Sequence, residues 1–318
     1  MAGYVIHRII GEDITQQLSL HNTWRTYIEE HKVAFIWGTQ GPDTLFHDTK
    51  FLSLLRKRGP INNYGGYMHR QSTDLLFNRI SCFLINKKDS TEFPALVAFA
   101  CGFICHYCVD RHIHACVYNR MRVYNGVVET FRPRDVHMKL ETDMDTAYYR
   151  LRTGKDVRSF ELEPEMRTNK QDIHAIELFF DYLIENVYNA RIPPGSVEKA
   201  VDFFYQKEKF LFDKYGIKSR LFCRTKEIIY GEKKSYTLYC RPANVSYDVL
   251  NMSHAPWVHP LNPNEICFLS IPELLERSID EAVAMISEMK DCVDREKFFE
   301  RQQMDSFDCG NDDSPKPY

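Results

Sequence analysis

Apolar positions along most of this chain recur at three- and four-residue spacing, the period of a helix with one buried face. That spacing predicts a helix over residues 14–31, where Leu18, Trp24 and Ile28 share a side. Further helices are expected over 65–86, over 92–118 and over 131–151, the last entered at Pro133, because proline suits a first turn. Residues 172–189 and 196–216 have well-separated polar and apolar faces and are joined by an Arg-Ile-Pro-Pro-Gly connection. Gly216 stands where a C-cap belongs. A final helix is expected over 271–293. Residues 221–242 are β-branched and aromatic around Gly231, which reads as a short hairpin. The expected fold class is all-α: a multi-helix bundle over 1–216, a C-terminal accessory segment over 217–300 packed on it, and a polar disordered tail over 301–318.

The helix at 92–118 breaks the amphipathic pattern. Introduced by Pro94, it is apolar nearly all round, as a central buried helix should be. Yet residues 101–117 carry His106, His112 and His114, Asp110, and the thiols of Cys101, Cys105, Cys108 and Cys116. Buried polar groups are costly unless something satisfies them. His106, Asp110 and His114 follow at i, i+4 and i+8, so they lie on one face. The outer two are about 12 Å apart at roughly 1.5 Å per residue, too far for one ion to take all three. Two or more cations, with Asp110 touching more than one, would satisfy the stripe, since paired catalytic ions sit roughly 3.5–4 Å apart.

Other residues extend the pattern. His137 and Glu141 form a second i, i+4 pair on the next expected helix, His69 and Asp43 lie on or near the starts of others, and His7 lies near the N-terminus. Nitrogen and oxygen donors of this kind suit zinc. A competing arrangement uses Cys105 and Cys108, in C-x-x-C spacing, with His112 and His114 as a structural zinc site. Alternatively, the cysteines pack as small hydrophobes. His112 lies off the stripe and is expected beside the site or on the surface.

Composition narrows the class. The 318 residues are 44% hydrophobic and 27% charged with a formal net charge of −3, so no global nucleic-acid footprint is present. No secretory signal is expected at the N-terminus, and no apolar run of membrane-spanning length is expected. Ten cysteines without such a signal are expected as reduced thiols in a cytoplasmic protein.

The order His7, Asp43, His69, His106-x3-Asp110, His114, His137-x3-Glu141 resembles the zinc-dependent phospholipase C family, which shares its helical fold with the fungal single-strand-specific nucleases. An Ala follows His114 where relatives often carry Pro. The stretch Ser-Tyr-Asp-Val-Leu-Asn-Met-Ser-His-Ala-Pro-Trp-Val-His-Pro (246–260) resembles the C-terminal part of intracellular bacterial members. Its His254, Trp257 and His259 are expected to pack on the helical body, the alternative being that they approach the site.

The resemblance implies two or three zinc ions. One is held by Asp43, His69, His106 and Asp110, a second by His114, His137 and Glu141, and a third by His7 with Asp110 bridging. In secreted relatives a processed N-terminal Trp completes the third, whereas this sequence begins Met-Ala-Gly-Tyr. Asp43 is the implied catalytic residue, orienting or deprotonating the attacking water. The implied activity is hydrolysis of a phosphate ester, small and polar or derived from a phospholipid. Two alternatives stand beside it. One is a nuclease of the same fold, for which the run Arg-Lys-Arg-Gly (56–59) is the only compact basic element before the site. The other is a non-catalytic zinc-binding helical protein.

Overall fold

The computed structural model describes residues 3–48, 59–127, 133–230, 240–302 and 304–308. In chain order the helices are α1 (Tyr4–Gln17), α2 (Thr23–Glu30), α3 (Lys32–Gln40), α4 (Asn62–Met68), α5 (Thr73–Asn86), α6 (Phe93–Val127), α7 (Pro133–Thr153), α8 (Glu165–Thr168), α9 (Lys170–Tyr188), α10 (Ser196–Leu211), α11 (Ile217–Tyr230) and α12 (Ile271–Asp294). Strands β1 (Trp257–His259) and β2 (Asn262–Cys267) pair antiparallel between α11 and α12. The expected all-α architecture with a small C-terminal hairpin is the observed one.

The hairpin lies elsewhere than expected. Residues 221–230 belong to α11, where Thr225 Oγ1 donates to the Leu221 carbonyl one turn back at 2.8 Å; residues 231–239 lie outside the described part. Strand preference reflects packing on a half-buried pleated surface. Leu221 and Ile228 are exposed, so a helix, which closes its own backbone bonds, prevails.

Two expected helices are interrupted. The span 14–31 divides at 18–22, because Asn22 Oδ1 accepts from the Trp24 amide and starts α2 anew. The span 65–86 divides at 69–72, where Ser72 has φ 60°. His69 is thereby left at the C-terminal end of α4. Gly216 does not cap α10, which ends at Leu211; it precedes α11 with φ 65°.

α6 is apolar all round because it is surrounded. α3 and α12 lie along it, and α1, α2, α7 and α9 close the remaining sides. Within Phe93–Arg122 the most apolar window has mean hydropathy 1.6, and the stretch is long enough to cross a bilayer, which corrects the expectation that no run reaches that length; 94% of that window is buried inside the protein. Phe99 and Phe103 meet Phe179 of α9 with ring centroids 4.8 and 5.8 Å apart. Each such buried ring contributes about 1.5–3 kcal/mol. α12 enters by a capping box, Ser270 with Glu273, and sets Ile271, Leu275, Met285 and Ile286 into the same core.

The α3–α6 crossing is glycine on glycine. A Cβ at Gly38 would lie 2.3 Å from the Phe99 carbonyl oxygen, and one at Gly102 would lie 2.3 Å from that of Phe35. This close approach delivers the 3-10 turn Gly41–His47, which follows α3, to the polar stripe of α6. Gly41 there has φ +49°, and a Cβ would come within 2.6 Å of the His106 ring.

Gly102→Ala is expected to force the two helices apart and lower the unfolding free energy by about 1–3 kcal/mol, the usual cost of overpacking. Denaturant unfolding measures it. An unchanged midpoint would mean that the crossing tolerates a methyl group.

Candidate metal centre

α6 presents His106, Asp110 and His114 on one face, as their spacing requires. α1 supplies His7, the 3-10 turn Asp43, the end of α4 His69, and α7 both His137 and Glu141. Seven of the eight are buried, with Asp43 the most exposed of these at 5%; His137 is half-buried. Their ligand-type atoms converge in three groups, each within 4.8 Å: Asp43/His69/His106, His114/His137/Glu141 and His7/His106/Asp110.

Asp110 faces every group. Its Oδ2 lies 3.3 Å from His106 Nε2 and 3.6 Å from His69 Nε2, while its Oδ1 lies 3.2 Å from His7 Nε2 and 3.9 Å from His114 Nε2. One carboxylate with its two oxygens turned to different groups is the geometry of a bridging ligand. His106 belongs to two groups, yet only its Nε2 is available, because Nδ1 is bound to the Thr39 carbonyl at 3.1 Å.

Backbone carbonyls set the histidine tautomers. His69 Nδ1 lies 2.6 Å from the Gly65 carbonyl, His106 Nδ1 3.1 Å from that of Thr39, and His114 Nδ1 2.5 Å from that of Phe307. A carbonyl can only accept, so each Nδ1 carries the proton and donates it. Each Nε2 then turns towards the cluster, the usual outer support of a metal-ligating histidine.

The electrostatics show what the cluster lacks. Burial holds His7 and His114 down to about 4 and His137 to about 3, so these rings are neutral. Burial likewise pushes Glu141 up to about 8. Burial also opposes ionisation of Asp110, yet its carboxyl is held well below the usual range. Burial pulls His69 down; Asp110 and Asp43 overcome it and raise its pKa to about 10. Asp43 and Asp110 bring two negative charges and His69 one positive, while His7, His114 and His137 are neutral, so this dry donor set is short of positive charge. Neither ring nitrogen of His7 makes a hydrogen bond, nor does Asp43 Oδ1, although His7 Nε2 and Asp43 Oδ1 each have a neighbour at 3.2 Å. Cations held among these atoms would satisfy both deficits, so the residues fit a metal cluster.

The rival thiol site is not assembled. Among the described residues, no converging group contains a cysteine. Burial raises Cys105 and Cys108 well above the ordinary thiol range, which disfavours the thiolate that ligation needs. His112 turns aside to Glu281 at 2.7 Å. In the 246–260 stretch, Trp257 is buried and its Nε1 donates to the Leu269 carbonyl at 3.0 Å, while His254 is exposed. Neither His254 nor His259 joins a converging group.

Sequence reasoning missed the C-terminal contribution. Residues 304–308 fall in the span expected to be disordered, yet Phe307 is fully buried and its carbonyl accepts from His114. The visible signal was Phe307, a large aromatic residue in a polar stretch. The rest of that span, 309–318, lies outside the described residues.

The match with known families agrees with this geometry. The zinc-dependent phospholipase C family model matches residues 6–190, a span that contains all eight residues. The chain belongs to the zinc-dependent phospholipase C family. No curated protein and no solved structure gave a match.

The donor set generates two predictions. In the metal-free fold Glu141 keeps its proton up to about pH 8, against 4.5 for an ordinary glutamate, and His69 stays charged to about 10, against 6.5. His7, His114 and His137 are neutral in the folded chain and mostly neutral in the unfolded one above about pH 7. Between about pH 7 and 8 these groups leave the folded chain holding more protons than the unfolded one, so metal-free stability should fall as pH rises. Zinc ligation expels those protons, so the zinc-saturated protein should show the opposite slope. Melting temperatures at a series of pH values, with chelator and with zinc, measure both; parallel slopes would count against metal binding here. Separately, replacing Cys105 and Cys108 together by Ala should leave zinc stoichiometry unchanged in elemental analysis, at a packing cost of small cavities. Loss of one equivalent would restore the thiol site.

Proposed function

We propose that the protein is a zinc-dependent hydrolase of phosphate esters, phospholipase C-like, with a small polar or phospholipid-derived substrate. Asp43, His69, His106 and Asp110 would hold one ion, His114, His137 and Glu141 a second, and His7 with Asp110 a third. The observation that carries the reading is the set of three buried histidines, each with Nδ1 committed to a carbonyl and Nε2 turned towards carboxylates. Zinc bound there would supply a water acidified towards pH 7 and positive charge for the phosphoryl oxygens.

The chain's own residues then divide the work. Asp110 holds the groups together through its two oxygens. Asp43 is the proposed proton acceptor for the attacking water: it stands outside both helical i, i+4 pairs, its Oδ1 makes no hydrogen bond, and it is the most exposed of the three cluster carboxylates. The third ion has the fewest ligands, since His106 offers one nitrogen to two groups. A non-catalytic zinc protein is the second reading, favoured by the near-complete burial of the site. Elemental analysis paired with hydrolysis of an aryl phosphodiester separates them: bound zinc with no turnover supports the second reading, and absence of zinc removes both.

Asp110→Asn keeps the shape but removes a charge that several cations share, so zinc content, melting temperature and hydrolysis should fall together. Asp43→Asn should keep most of the zinc and lose at least ~10²-fold in rate, the scale of general-base loss. If turnover survives and the only cost is about 1 kcal/mol of stability, as from a lost cap, Asp43 is structural.

A further inference from the structure

The acceptors of the three histidines differ in origin. Thr39 and Gly65, which serve His106 and His69, lie within the matched span 6–190. Phe307, which serves His114, lies 193 residues further along the chain and outside that span.

The segment that brings Phe307 there is bound at every described step. The Met304 amide donates to Asp74 Oδ1 at 2.8 Å, the Tyr107 hydroxyl donates to the Asp305 carbonyl at 2.9 Å, and Arg111 reaches the Asp305 carboxylate at 3.0 Å. The Phe307 ring stands 4.8 Å from the Tyr107 ring, 5.3 Å from that of His69 and 5.9 Å from that of His106. Asp308 Oδ1 accepts from the Tyr118 hydroxyl at 3.0 Å and lies 3.7 Å from His114 Nδ1, the nitrogen that donates to the Phe307 carbonyl. A histidine that binds a cation through Nε2 holds it more tightly when Nδ1–H is accepted and an anion stands behind the ring. Phe307 supplies the first and Asp308 the second.

We propose that residues 304–308 are a working part of the metal centre: the Phe307 carbonyl and the Asp308 carboxylate are positioning groups that orient His114 and set how tightly the His114/His137/Glu141 group holds its ion. This rests on the zinc reading of that group. It makes the matched helical span incomplete as a metal site without the C-terminal segment.

The test uses the full-length protein, stripped of metal and titrated with zinc against a competing chelator at several pH values. Asp308→Asn keeps the shape and removes the anion. It should weaken one zinc equivalent by about 10–100-fold, the usual effect of an outer-shell change. The other equivalents should hold, and the pH midpoint of uptake for that one equivalent should rise. Asp308→Glu should restore most of the affinity. Tyr118→Phe, which frees Asp308 from its donor, should give a smaller loss in the same equivalent, and it tests the idea even if Asp308→Asn folds poorly. Wild-type affinity and pH midpoint in both Asp308→Asn and Tyr118→Phe overturn the proposal and leave the zinc reading standing. A uniform weakening of all equivalents overturns it too, because it marks a general structural defect. A wild-type protein that binds no zinc removes both.

Discussion

The structure depends on one constraint: the most deeply buried helix carries a stripe of ionisable groups. His106, Asp110 and His114 are 0% exposed on α6, which the other helices enclose. Desolvated carboxylates and imidazoles are tolerable only with partners in place. The elements around α6 supply those partners. α1 brings His7, the turn after α3 brings Asp43, α4 ends at His69, and α7 adds His137 and Glu141. The hydrophobic core and the polar centre are two faces of one packing problem, and neither is separable from α6.

Close backbone approach makes the polar solution geometrically possible. The glycine pair at the α3–α6 crossing removes the side chains that would hold the helices apart. The turn that follows can then set Asp43 beside His69 while the Thr39 carbonyl meets His106. Shape at the crossing and proton position on the imidazole are thus linked: a displaced carbonyl would release Nδ1 and with it the direction of the Nε2 lone pair. The same logic reaches the end of the chain, where Phe307 fills the aromatic cluster of Phe77, Phe103 and Tyr107 and also offers its carbonyl to His114. One residue serves the core through its ring and the centre through its backbone.

Much of this was legible in the sequence. Helical period located the main helices, the all-round apolarity of 92–118 marked the central one, and i, i+4, i+8 spacing put His106, Asp110 and His114 on one face without reference to any other segment. These inferences are local, resting on 3.6 residues per turn and on the cost of burying polar groups. Tertiary structure alone decided what depends on distant segments. Where helices 14–31 and 65–86 break is one case, since a capping side chain or a left-handed residue outweighs a continuous apolar period. Another is the helical state of 221–230, where Leu221 and Ile228 face outward despite a strand-like composition. A third is which carbonyl pins each imidazole, and most of all that a polar C-terminal stretch folds back on His114. Composition counts a segment's own apolar content; it does not see that Tyr107, Arg111, Asp74 and Tyr118 stand ready to receive Phe307 and its neighbours.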